Sequence, residues 1–201
     1  MSTNIHPIFD QLVQQQERER FLNQKSNVFW LTGLSGSGKS TIAKGVERSL
    51  FLKGYFAKVI DGDNVRTGLS SNLSFSLSDR EENIRRVSEL AKLFVESGII
   101  TICTFISPTI QIRNLAREII GEETFKEIYI KASLEICEGR DVKGLYKKVR
   151  SGEISGFTGI DSPYEPPVNP DFEVVTSSQG IDESVRDVHH FIIKESSING
   201  L

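Results

Sequence analysis

From Val28 onward the apolar residues fall into short runs separated by longer amphipathic stretches. "VFWLT", "AKVID", "IITICTF", "KEIYI" and "FEVVT" have the length and the β-branched or aromatic content of strands. Between them "STIAKGVERSLFLKG", a long charged segment, a stretch near Asn114 to Ile120, one from Ser133 and one over Ile181 to Lys194 read as helices. In the long helix Ile84, Val87, Leu90, Ala91 and Phe94 make a single stripe, Ser78 with Glu81 forms a capping box, and Gly98 supplies the stop. Strands alternating with helices predict an α/β fold, a mainly parallel central sheet with helices on both faces. On such sheets ligands sit at the carboxyl ends of the strands.

Residues 1–27 are polar, with Ile8, Leu12 and Val13 at loosely helical spacing, and are expected to form a helical extension on the outside of the domain. Residues 28–201 form the domain itself. Within it, Ser151 to Pro170 is rich in Gly, Pro and Ser and too long for a plain connector, so residues near 144–170 are expected to form a lid or binding loop. A formal charge of -3 excludes the broad basic stripe of a nucleic-acid binder, so any anion site must be local. Cys103 and Cys137 lack metal-ligand spacing and read as buried thiols. No apolar run has membrane-spanning length and the first residues lack a signal-peptide pattern, so a cytoplasmic protein without membrane association is expected.

The chemistry starts at "GLSGSGKST". Gly33, Gly38, Lys39 and Ser40 satisfy G-x-x-x-x-G-K-[ST], between a predicted strand and a predicted helix. Backbone N–H groups of Gly33, Leu34, Ser35, Gly36, Ser37, Gly38, Lys39, Ser40 and Thr41 are expected to wrap phosphate. Lys39 would neutralise the β and γ phosphates and the Ser40 hydroxyl would ligate Mg²⁺. The chain has no Asn-Lys-x-Asp segment of the kind that reads guanine, which favours ATP over GTP.

The phosphate acceptor is less legible. Asp61 and Asp63 both stand at a predicted strand end, where an acid can hold Mg²⁺ or take a proton from an attacking hydroxyl; in extended chain they share a face, and a tight turn is the alternative. Arg80 and Asn83 share one face of a helix's first turn with Arg66 nearby, suited either to phosphate or sulfate or to a solvated charged helix start. Phe75 and Phe157 lie in polar segments, where an aromatic either clamps a purine or packs into a core.

In order along the chain, "WLTGLSGSGKST", "DGDNVR", "DREENIRRV", "FISP", "RDVKGLYKK" and "GEISGFTGIDSPYEPP" resemble adenylylsulfate kinase, over about Val28 to Val175. The resemblance implies a P-loop kinase fold. It implies transfer of the γ-phosphoryl group of ATP to the 3'-hydroxyl of adenosine 5'-phosphosulfate, with Mg²⁺ held at Ser40 and Asp61. Asp63 would orient or deprotonate the hydroxyl and help place Mg²⁺. Arg66, Arg80 and Asn83 would grip the phosphosulfate and nearby polar groups, Phe75 and Phe157 would sandwich the adenine, and Asn64, Ile106, Ser107, Lys143 and Gly156 are implied as further substrate contacts. Ser107 corresponds to a position described as a phosphoserine intermediate; a substrate hydrogen bond is its alternative role. The likeness also implies a homodimer and functional coupling to ATP sulfurylase.

Thr67, Ser74 and Thr109 depart from the family's usual residues, and Ser74 stands where a Gly is common, which would stiffen the approach to Phe75. His6, His189 and His190 match no catalytic arrangement. Two other readings stay open: a nucleoside or nucleoside-monophosphate kinase, and a nucleotide-binding regulatory protein without turnover.

Overall fold

The computed structural model describes residues 4–198. A five-stranded sheet runs in the order β2-β3-β1-β4-β5, built from β1 (Val28–Thr32), β2 (Ala57–Asp61), β3 (Ile100–Thr104), β4 (Phe125–Lys131) and β5 (Phe172–Val175). Every pairing is parallel, so each connection crosses over the sheet, and helices fill the crossovers. In the crossovers lie α2 (Lys39–Leu52), α4 (Leu77–Glu96) and α5 (Ile110–Ile120) with the short α3 (Gly62–Arg66), α6 (Leu134–Arg140) and α7 (Leu145–Arg150), while α1 (Gln15–Leu22) precedes the sheet and α8 (Ile181–Ser196) follows it.

All five residues of β1 are buried because alternate side chains enter two different cores. Val28 and Trp30 join the stripes of α4 and α5, namely Ile84, Val87 and Ala91 with Ile112, Ala116 and Ile120. Phe29 and Leu31 join Ile42, Val46 and Leu50 of α2 and Val188 and Ile192 of α8. The chain leaving β1 therefore turns to one face, and the chain leaving its neighbour β3 turns to the other. Divergence at the carboxyl ends of adjacent strands opens a crevice between them, and this crevice holds the site.

Three local expectations change. The cap of α4 is Ser76, whose hydroxyl accepts from the Asp79 N–H, rather than Ser78. Asp61 and Asp63 do not lie on one extended face: Asp61 ends β2 and caps α3, accepting from the Asp63 N–H, so Asp63 belongs to a helical turn. In the N-terminal segment the helix begins at Gln15, after a 3₁₀ turn at Phe9–Gln11, leaving Ile8, Leu12 and Val13 exposed ahead of it. Just beyond α1, Gln24 ties the segment to the domain, its side-chain amide donating to the carbonyls of Phe56 and Gly98. Both cysteines are buried and free. Among the described residues no helix is long and apolar enough to cross a membrane.

Candidate active site

A cleft of about 890 Å³ runs along the carboxyl edge of the sheet. One end is the loop Gly33–Gly38 between β1 and α2. Gly33, Gly36 and Gly38 all have positive φ. A side chain at Gly36 would bring its Cβ to 2.9 Å from the Cys137 carbonyl, and one at Gly33 would overlap the Ile130 carbonyl. The loop is thus shaped by backbone approaches that only Gly permits. It is braced from outside: Arg140 donates to the carbonyls of Gly36 and Ser37 at 3.2 Å, and the Tyr146 hydroxyl donates to the Ser35 carbonyl at 2.9 Å.

Lys39, in the first turn of α2, is buried and donates to the carbonyls of Gly33 and Leu34, both at 2.8 Å. Burial pushes its ammonium down to about 8, only partly opposed by Cys137, Asp61 and Asp63. A cation so poorly solvated favours an anionic partner.

Beside it the Ser40 hydroxyl donates to Asp61 Oδ2 at 2.7 Å, and Thr104, at the end of β3, donates to the same oxygen at 2.7 Å. Burial pushes the Asp61 carboxyl up, but hydrogen bonds from Ser40, Thr104 and the N–H groups of Asp63 and Asn64 outweigh it and hold Asp61 below its ordinary range. An ionised carboxylate next to a hydroxyl, facing a phosphate-shaped loop, fits a hard divalent cation that keeps waters and phosphate oxygens as its other ligands. Among the described residues no group of three or more His, Cys, Asp and Glu gathers where it could hold a metal ion.

Asp63 lines the same cleft, with its carboxylate paired to Lys143 from the turn before α7. α4, the loop after β3 and residues 154–158 line the rest of the cleft. Asn83 is buried and its Oδ1 lacks a protein partner. Arg80 donates to the Phe75 carbonyl (2.8 Å), Thr158 Oγ1 (2.9 Å) and the Gly156 carbonyl (3.0 Å), so it ties the Gly156–Thr158 segment to α4. Arg66 donates to the carbonyls of Leu73 and Ser74, with its guanidinium 4.3 Å from the centre of the exposed Phe75 ring. Phe157 lines the cleft and also packs edge-on against Tyr146 at 5.0 Å, in a small apolar cluster with Leu34.

Ile106 and Ser107 line the cleft wall, but the Ser107 hydroxyl points inward. It accepts from Trp30 Nε1 and donates to Thr32 Oγ1, both at 3.1 Å, and Ser107 is 3 % exposed with φ +39°. Asn64 is exposed on α3 and is not brought to the cleft wall. Lys147, Lys148 and Arg150 are exposed, and Arg150 pairs with Glu138. The departures find local roles: Thr109 caps α5 by accepting from the Ile112 N–H, and the Ser74 hydroxyl bonds the Asp79 carboxylate outside the positive-φ region. His189 is buried in α8, away from the cleft, with both ring nitrogens lacking a protein partner. The sequence did not single out Thr104, Arg113 or Tyr146.

The model of the adenylylsulphate kinase family matches residues 25–175. An adenylyl-sulfate kinase of Bacteroides fragilis is 49% identical over 98% of this chain and 97% of its own. One of Clostridium acetobutylicum is 53% identical over 90% of each chain. The APS kinase of Mycobacterium tuberculosis, solved in complex with AMPPNP and APS, superposes with a TM-score of 0.79 at 47% identity, covering 82% of this chain and 95% of that one.

Proposed function

The chain belongs to the adenylylsulfate kinase family, and from that premise we infer that its cleft transfers the γ-phosphoryl group of ATP to the 3'-hydroxyl of adenosine 5'-phosphosulfate. The products are ADP and 3'-phosphoadenosine 5'-phosphosulfate. The observation that supports the reading is that residues of the phosphate loop, Asp63, Asn83, Ile106 and Phe157 all line one cleft.

The loop from Gly33 to Thr41 holds the triphosphate, with Lys39 on the β and γ phosphates. Ser40 and Asp61 would hold Mg²⁺, which would supply charge neutralisation to the β and γ phosphates. Asp63 accepts the hydrogen bond, and then the proton, of the 3'-hydroxyl as its oxygen bonds the γ-phosphorus and the bond to the β-phosphate oxygen breaks. Lys143 balances the Asp63 charge until substrate enters. Asn83 presents its free Oδ1 to a donor on the adenosine, and Phe75 and Phe157 flank the base. Arg66 and Arg80 supply positive charge for the phosphosulfate. Lid closure keeps water from the γ-phosphoryl group. Ser107 acts through its backbone, because its hydroxyl is bonded to Trp30 and Thr32 behind the wall. A covalent relay there is disfavoured.

The test is ADP release with MgATP against adenosine 5'-phosphosulfate, AMP and adenosine. Selective turnover of the phosphosulfate is expected. Turnover of AMP or adenosine instead moves the protein to the nucleotide or nucleoside kinases, and ATP binding with no acceptor used makes it a regulatory binder.

A pH dependence follows from Lys39. The free ammonium titrates near 8, and bound phosphates raise that value, so above it binding must take up a proton. The Kd for MgATP is expected to rise above pH 8, approaching tenfold per pH unit. Calorimetry across that range checks it; a flat Kd removes Lys39 as the group responsible.

A homodimer is supported by the apolar side chains left exposed on the N-terminal segment, Phe9, Leu12 and Phe21 among them. A cytoplasmic setting agrees with two free cysteines. An ATP sulfurylase is the functional partner that supplies the acceptor.

A further inference from the structure

The lid is tied down at its C-terminal arm by a residue outside every motif noted above. Arg113 on α5 is 3 % exposed. Its Nε pairs with Glu127 on β4 at 2.7 Å, Nη1 donates to the Ser107 carbonyl at 2.8 Å and Nη2 donates to the Glu165 carbonyl at 2.8 Å. Glu165 adds two ties of its own: its N–H donates to the Pro108 carbonyl at 2.8 Å, and its carboxylate accepts from the Ile110 N–H at 2.7 Å. The loop after β3 and the arm leaving the lid are thus joined to each other, with Arg113 bonded to both.

This junction holds a costly backbone. Ser107 is one of three non-Gly residues with positive φ among those described, a strained conformation that persists only where its surroundings impose it. Arg113 restrains its carbonyl, and Trp30 and Thr32 restrain its hydroxyl. The phosphate loop has separate braces in Arg140 and Tyr146. The two ends of the cleft are therefore held by different residues.

We propose that Arg113 is a positioning residue for the acceptor: it locks the Ile106–Pro108 backbone and the lid's exit arm together, so the acceptor end is formed before substrate arrives. Its planar fork is essential to this role. A lysine answers Glu127 as a compact point charge but does not span a carboxylate and two carbonyls in different segments. Removing the charge alone leaves buried Glu127 with only the more distant Arg117, 3.9 Å away, so the neutral variant changes both residues.

The inference rests on adenosine 5'-phosphosulfate being the acceptor, and wild-type protein assayed in parallel tests that separately. Arg113→Lys and the double variant Arg113→Met with Glu127→Gln are compared with wild type for melting temperature and for both KM values. The expected result is a KM for the phosphosulfate raised about tenfold or more in both variants, with the KM for ATP within about twofold, as befits loss of preorganisation at one end only. Arg113→Lys keeps most of the melting temperature, separating stability from positioning. The proposal is overturned if lysine restores the acceptor KM, or if the two KM values rise together in step with lost stability. Wild-type protein that fails to use the phosphosulfate overturns the functional reading instead.

Discussion

Asp63→Ala is expected to fold as wild type and to lose about 10²–10⁴-fold in kcat with adenosine 5'-phosphosulfate, the range a positioned general base supplies. The fold should not notice the change. Asp63 is 70% exposed in its side chain and its charged partner Lys143 is 57% exposed, and such surface pairs are worth about 0–1 kcal/mol. Asp61, by contrast, caps α3 and accepts from Ser40 and Thr104, so its removal would disturb backbone and cation site together. That difference makes Asp63 the cleaner probe of the transfer step. A kcat within about threefold of wild type at saturating acceptor would remove Asp63 from the chemistry and leave proton loss to solvent.

The largest separation of stability from activity is expected at Lys39. Lys39→Met replaces a buried ammonium, already destabilised by burial, with an apolar chain of similar length. The melting temperature is expected to stay level or rise, although the carbonyls of Gly33 and Leu34 lose their donor. Turnover is expected to fall about 10²–10³-fold or more, as when a preorganised donor to transition-state charge is removed. Thermal melts and steady-state rates on one preparation check both signs. A variant that melts early and turns over slowly would mean that Lys39 supports the loop instead of the phosphates.

How much of this was legible follows from how local each feature is. The phosphate loop, the strands around it and the stripe of α4 are contiguous patterns, readable because periodicity and Gly spacing are properties of a single segment. The cap of α4 was misplaced because two serines compete there, and Ser78 had the glutamate that the capping-box pattern rewards while Ser76 had the geometry. α3 escaped because five residues show no period. Asp63 was a candidate from position alone; its assignment over Asp61 needed the family likeness. Arg113 was invisible for a different reason. Its partners Ser107, Glu127 and Glu165 come together only through the parallel crossovers, and an arginine in a helix otherwise reads as surface charge. The inward turn of the Ser107 hydroxyl was hidden likewise, since it depends on Trp30, a strand away.

That indole contact has a practical side. The chain contains a single tryptophan, sealed from solvent and stacked against Phe105 at 5.3 Å. Its one polar atom is bonded to the residue that shapes the acceptor wall. The molecule therefore carries its own fluorophore bonded to the cleft wall, and the emission of Trp30 is expected to change when a ligand binds against that wall, without any label.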